Sequence, residues 1–459
     1  MHLNTIQWMT NAKELSKVFK KYGDFLPEQK ELLKRIHGGS FNNSKQVSTF
    51  MSPTGTGKTH AICIAAKILQ DTDNSIAIVT PSNYLKQEFI DAKKEVFGIM
   101  DKVEIMNLAE YTSSDKIFDY VLIDEAHNLK SFIELDNKMV KNIAIKLGTD
   151  IYEDLIDQIP PSKSFIAKQI SHLNAKEFLK KMQYVSEIKT QVKEILNDAT
   201  AWKTFVYVGR NYPENYIRFI KSEGQTDFKK AKKQLMLFSA TNLSDNELSF
   251  YCGINKNEVL RTEPVKRVTK IDKSQREYLG LKEEISDSSK VEFVKTIIEK
   301  VKTRTLVLFA NSYSCNKFYS QVKNNSRIFC IPNEFDHNRE KFEKFLKKED
   351  GILFTSSSIF WEGITIKNLK LLIIMDPPFP HPNLLDLSTG NSTNGTKIVK
   401  SRLEQGAGRI GRRKGERGVG VFLFKIPPSL ESWMFKFKND ETYNEEYTWN
   451  FIAKLQSII

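Results

Sequence analysis

One stretch, Phe50-Met51-Ser52-Pro53-Thr54-Gly55-Thr56-Gly57-Lys58-Thr59-His60, limits the folds open to this chain more than any other. It overlaps Val47-Ser48-Thr49-Phe50-Met51, which reads as a short buried strand, and precedes residues 61–69, which are apolar over helix length. A glycine-rich turn between a strand and a helix lets the backbone N–H groups of Thr54, Gly55, Thr56 and Gly57 point inward around phosphate oxygens. Lys58 adds a positive charge on a long stem and Thr59 a hydroxyl suited to Mg²⁺, so a nucleoside triphosphate such as ATP is the expected ligand. Ser52 stands where the general GxxxxGK(S/T) pattern has Gly, a departure that the strand–loop–helix setting offsets. The loop alone does not choose among kinases, transporters, GTPases and helicases.

A second chemical centre lies at Tyr120-Val121-Leu122-Ile123-Asp124-Glu125-Ala126-His127. An apolar run ending in two carboxylates reads as a buried parallel strand whose carboxyl end delivers acids to the crevice beside the phosphate loop. Asp124 is expected to hold Mg²⁺ through water, with Thr59 as the other metal ligand, and Glu125 to polarise the attacking water. A strand end capped by solvated acids would give no reason for Asp-Glu-Ala-His to follow a phosphate loop at this distance.

Near the far end, Gln405-Gly406-Ala407-Gly408-Arg409-Ile410-Gly411-Arg412 places Gln405, Arg409 and Arg412 at spacings of four and three, hence on one face of a helix. Guanidinium groups so placed reach a transferring phosphoryl group only if a second domain closes over the nucleotide. The plainer alternative is a basic helix on a phosphate backbone, which the neighbouring Arg413, Lys414 and Arg417 suit.

At 459 residues the chain exceeds a single core, so two or three domains are expected. A net charge of +13 favours a polyanionic partner such as nucleic acid, with a lysine-rich proteome as the alternative. The first fourteen residues show no basic-then-apolar signal, and no apolar run approaches membrane-spanning length, so a cytoplasmic protein with no membrane partner is expected. Cys63, Cys252, Cys315 and Cys330 form no CxxC pair, so neither zinc nor a disulfide framework is indicated, and small buried side chains are expected.

In this order the motifs resemble the XPD/DinG group of superfamily-two helicases, over roughly residues 25–425. Pro27-Glu28-Gln29 is similar to the group's adenine-reading motif, which implies Gln29 as the base contact. Thr80-Pro81-Ser82-Asn83-Tyr84-Leu85 resembles its first strand-contacting motif, and Ser239-Ala240-Thr241 the motif that couples hydrolysis to domain movement. Residues 305–313, Phe360-Trp361-Glu362-Gly363-Ile364 and Asp376-Pro377-Pro378-Phe379-Pro380-His381-Pro382 look like second-domain motifs, and Arg409 and Arg412 like arginine fingers. The resemblance implies catalytic roles for Lys58, Asp124, Glu125, Gln405, Arg409 and Arg412, ATP contact by Gly363, and coupling through His127 and Glu362. It implies strand contacts at Thr80, Ser82, Ser312, Ser357 and Trp361; Trp361 is a base-stacking candidate whose alternative is core. Thr365 replaces the Asp usual after Glu-Gly-Ile, and residues 413–418 lack the acidic-Gly form common after the fingers.

The expected fold class is α/β, with two doubly wound parallel-sheet (RecA-like) motor domains and a mostly α-helical insert. Residues 1–130 with 234–265 form the first motor domain. Residues 131–233 form an arch-like insert, read as helical from the apolar spacing over 174–196, and residues 266–459 form the second motor domain. The aromatic-rich stretch 427–459 is expected to pack on that second domain, with a partner-docking surface as the alternative. Lys229-Lys230-Ala231-Lys232-Lys233 suits either a phosphate track or a solvated helix face. The resemblance implies an ATP- and Mg²⁺-dependent motor on single-stranded or forked DNA, moving five-prime to three-prime. Its rivals are a nucleic-acid-gated ATPase that remodels a protein–nucleic-acid complex, and an RNA helicase. Many relatives carry a four-cysteine iron–sulfur domain before Asp-Glu-Ala-His; residues 90–119 hold no cysteine, so no cluster is expected. A protein partner from a repair, mobile-element or defence complex is a further expectation.

Overall fold

The computed structural model describes residues 25–41, 47–52, 56–70, 73–96, 101–126, 132–135, 166–170, 180, 195–197, 202–209, 212–221, 231–240, 243–245, 248, 254–266, 276–281, 284–323, 325–332, 335–362, 364, 366–378, 395–411, 416–425 and 452–453. Its first part runs α1 (Pro27–Phe41), β1 (Val47–Met51), α2 (Lys58–Gln70), β2 (Ile76–Thr80), α3 (Asn83–Val96), β3 (Val103–Asn107), α4 (Leu108–Ser113) and β4 (Phe118–Ile123). Four strands follow, β5 (Phe132–Leu135), β6 (Ile166–Ile170), β7 (Trp202–Gly209) and β8 (Tyr212–Lys221), before β9 (Ala231–Ser239) and β10 (Val259–Arg261). The second domain comprises β11 (Arg276–Leu281), α5 (Asp287–Lys300), β12 (Thr305–Leu308), α6 (Ser312–Ser320), β13 (Ile328–Ile331), α7 (Arg339–Lys347), β14 (Ile352–Thr355), α8 (Ser358–Glu362), β15 (Leu371–Ile374), α9 (Gly395–Ala407) and β16 (Gly418–Lys425).

The first sheet is parallel throughout, in the order β10-β1-β9-β4-β2-β3. The second is also parallel, in the order β11-β16-β15-β12-β14-β13. Helices cover both faces of such sheets, so the central strands are mostly apolar and every residue of β2, β12, β14 and β15 is buried. Alternation decides which face each side chain serves. In the second domain Leu306, Leu308, Leu353, Leu372 and Ile374 enter one core, while Val307, Phe354, Ile373 and Val421 enter the core on the opposite face.

The mostly helical insert does not hold for the described residues. β5, β8, β7 and β6 form an antiparallel four-stranded sheet, and the helical residues described between them are Lys180 and residues 195–197. The helical spacing of 174–196 says nothing about Trp202-Lys203-Thr204-Phe205-Val206-Tyr207, whose β-branched and aromatic residues favour a strand. Trp202, Thr204, Phe205 and Phe219 are buried while Lys203 is exposed.

The lysine run is also displaced from its expected role. Ala231, Lys232 and Lys233 begin β9 at the edge of the sheet opposite the phosphate loop, about 20 Å of strand from Ser239. There the Lys233 ammonium donates to Asn74 Oδ1 (2.5 Å) and lies 5.9 Å from the centre of the Tyr120 ring. Lys229 and Lys230, and the C-terminal aromatics from Trp433 to Phe451, lie outside the described residues. Cys63, Cys315 and Cys330 are buried, as small core side chains. Among the described residues no helix is long and apolar enough to cross a membrane.

Candidate nucleotide site

β9 lies between β1 and β4, with Met51 opposite Ser239 and Ile123 opposite Leu237. The loop after β1, Ser239-Ala240 at the end of β9 and the acids after β4 therefore leave one edge of the sheet side by side. Ser52 N donates to Ser239 O at 3.0 Å, which joins the start of the loop to the segment proposed for coupling. The Ser52 hydroxyl lies 2.8 Å from the Thr56 hydroxyl, both buried. This contact shows how Ser serves where the general pattern has Gly: its side chain cross-braces the loop. Gly57 sits at φ +74, a backbone conformation that favours glycine, and a Cβ there would displace the Gln29 side chain, whose Nε2 lies 2.0 Å from the Cβ position. Gln29 Nε2 donates to Gly57 O at 3.2 Å while its Oε1 accepts from Leu26 N at 2.9 Å, fastening α1 to the loop.

Lys58, the first residue of α2, is buried with its ammonium 2.5 Å from Glu125 Oε1 and 3.1 Å from Asp124 Oδ1. Burial alone would lower the Lys58 pKa, but the two carboxylates outweigh it and the ammonium is held charged well above its ordinary range. Burial pushes the Asp124 carboxyl up, and Lys58 pulls it partly back. Glu125 adopts φ 48, a left-handed conformation that costs a non-glycine residue about 1–3 kcal/mol and that clusters at functional sites. The Asp124 carboxylate and the hydroxyl of the half-buried Thr59, next to Lys58 in sequence, are oxygen donors of the kind that Mg²⁺ takes, a hard ion that binds one or two protein oxygens and completes its shell with phosphate and water. Among the described residues no group of three or more His, Cys, Asp or Glu is placed to hold a metal by itself.

On the second domain Gln405 and Arg409 are both buried, but not on one helical face. α9 stops at Ala407, Arg409 N donates to Gly406 O at 2.9 Å in a tight turn, and Gly411 turns at φ +54. Three glycines between residues 406 and 411 make the helix unfavourable, which the spacing of the arginines did not reveal. The Arg409 guanidinium donates to Ile364 O of its own domain. Thr54, Gly55, His127, Thr241, Gly363 and Arg412, and the side chain of Glu362, lie outside the described residues.

Two of the residues proposed for strand contact, Thr80 and Trp361, are buried. Thr80 is 0% exposed and its hydroxyl donates to Ser82 O at 3.0 Å, so it shapes the turn after β2. Trp361 is 2% exposed and lies so close to α9 that a Cβ on Gly406 would meet its ring at 2.9 Å, so it is core. Ser82, Ser312 and Ser357 are half-buried at the carboxyl ends of β2, β12 and β14. Tyr313, 66% exposed beside Ser312, was not singled out from sequence. Its signal was present: in α6 Cys315 and Phe318 take the core positions, which turns Tyr313 outward.

Residues 294–424 match the helicase C-terminal domain family. No curated protein matches the chain significantly by sequence. Among solved structures the chain is similar to an apo XPD at 15% identity and TM-score 0.57, covering 86% of this chain and 95% of that one. It is similar to S. tokodaii Xpd4 at 15% identity and TM-score 0.51, covering 86% and 95%. S. cerevisiae Dbp5 bound to RNA and ADP BeF3 matches at 13% identity and TM-score 0.51, covering 98% and 97%. Two parallel six-stranded domains, the first with its phosphate loop and acids on one sheet edge, define the class: a RecA-like helicase fold. Within that class the fold is similar to that of the XPD structures.

Proposed function

We propose that this chain is an ATP-dependent translocase on single-stranded DNA that unwinds duplexes five-prime to three-prime. The observation that carries the reading is the buried cluster of Lys58, Asp124 and Glu125 under a phosphate loop, in a chain whose second domain presents Arg409. ATP binding draws the Lys58 ammonium from the carboxylates to the β- and γ-phosphates, which frees both acids. Thr59 and Asp124 would hold Mg²⁺, which would supply charge neutralisation for the transferred phosphoryl group. Glu125 accepts the proton of the water that attacks the γ-phosphorus, while the bond to the bridging oxygen breaks and ADP leaves. Arg409 releases Ile364 O and meets the developing charge when the domains close, so turnover and domain movement occur together. Ser239-Ala240, hydrogen-bonded to the base of the loop, carries that movement within the first domain.

Ser82, Ser312 and Ser357 suit the backbone of one strand, and Tyr313 offers a ring for stacking. In a turnover assay with saturating oligonucleotide, DNA is expected to stimulate ATP hydrolysis more than RNA of the same sequence. Tyr313→Ala is expected to weaken strand binding on the order of tenfold, from the loss of one stacking contact. RNA is the second reading, favoured by the likeness to Dbp5, whose structure holds RNA. Equal or greater stimulation by RNA would replace DNA as the track.

A further inference from the structure

The two motor domains meet at an aromatic contact that the motif roles above do not use. Tyr84 lies in the first turn of α3, two residues after Ser82, and its ring stands edge-on to Phe335 of the second domain, with centroids 4.8 Å apart at 88°. Phe342 of α7 lies 6.3 Å away at 85°, and the adjacent Leu85 is buried in the same core cluster as Phe335, Phe342 and Phe360. Phe360 packs on Phe335 at 5.2 Å and on Phe342 at 5.4 Å. Its neighbour Trp361 presses on Gly406 of α9, the helix that carries Gln405 and leads into Arg409. Packed rings thus run from Tyr84, beside the turn at Ser82, to Phe360, and the backbone of α8 and the Trp361–Gly406 contact continue the path to the segment bearing the arginine. This contact is made while Arg409 donates to Ile364 O of its own domain.

We propose that Tyr84 is a positioning residue: the pivot about which the domains close, through which a strand held at Ser82 sets the position of Arg409. The inference rests on the helicase reading of the nucleotide site. Edge-to-face aromatic pairs favour a defined geometry, and packed interiors move between discrete arrangements rather than yielding continuously. A strand that shifts α3 therefore shifts α7, α8 and, through Trp361, the turn at Gly406.

The test is the ratio of ATP turnover with saturating single-stranded oligothymidylate to turnover without it, in the full chain. Tyr84→Ala is expected to lower that ratio on the order of tenfold, leaving unstimulated turnover and oligonucleotide affinity within about twofold. Tyr84→Phe, which keeps the ring, is expected to retain the parent ratio. A merely structural role would lower stimulated and unstimulated turnover together. An unchanged ratio in Tyr84→Ala, beside normal stimulation of the parent, overturns the inference alone. A parent chain with no stimulation overturns the functional reading and with it the coupling role. Hydrogen exchange without nucleotide or strand then tests the contact by itself: Tyr84→Ala should deprotect the backbone amides of α7, and unchanged protection would show that the contact does not hold the domains.

Discussion

Glu125→Gln is expected to retain ATP binding and to lose turnover by about 10²–10⁴-fold, the range a general base contributes. The substitution is close to isosteric and its amide oxygen can still accept from Lys58, whose ammonium lies 2.5 Å from Glu125 Oε1, so the loop keeps its shape. What the substitution removes is the basic oxygen proposed to accept the proton of water. Binding of a fluorescent ATP analogue, followed by single-turnover hydrolysis in the presence of single-stranded DNA, separates the two effects. Hydrolysis within tenfold of the parent would remove Glu125 as the base.

Lys58→Ala has a different signature, because it acts on stability as well as on the nucleotide. Asp124 and Glu125 are buried, and Lys58 is the cation between them. Removing one partner of a buried ionic cluster costs about 3–5 kcal/mol when the remaining charges stay ionised. Asp124 can relieve part of that by taking up a proton, since burial already pushes its pKa up and the variant lacks the ammonium that pulls it back. The folded variant then binds more protons than the unfolded chain, so its stability falls as pH rises. The loss of melting temperature relative to the parent is thus expected to be small at pH 5 and large at pH 8, together with loss of ATP binding. A loss that is equal at both values, or greater at pH 5, contradicts this account of the cluster.

Much of the site was legible in the sequence, because phosphate loops and paired acids are local patterns whose setting is set by the flanking strand and helix. The loop, Asp124, Glu125 and the paired parallel sheets followed from apolar runs of strand length and glycines of defined spacing. What escaped was what depends on neighbours distant in sequence. Trp361 looks the same on paper whether it stacks on a base or fills the space above Gly406. Thr80 is a motif hydroxyl that its own turn consumes. The regular spacing of Gln405, Arg409 and Arg412 concealed that Gly406, Gly408 and Gly411 end the helix first. In the insert, apolar spacing over one segment was extended to its neighbours, although the strand-favouring composition of residues 202–208 was in view. Ser52 shows the opposite case, an apparent departure that the structure explains through its contact with Thr56.

The central claim, that the cluster at Lys58, Asp124 and Glu125 drives movement along one strand of DNA, is tested most directly by strand displacement. Purified protein with ATP and Mg²⁺ is given a labelled duplex bearing either a five-prime or a three-prime single-stranded tail. The account predicts release of the labelled strand from the five-prime-tailed duplex and no release in the Glu125→Gln variant. Strand-stimulated hydrolysis with no displacement from either substrate would contradict it and would favour an ATPase that remodels protein–nucleic-acid complexes.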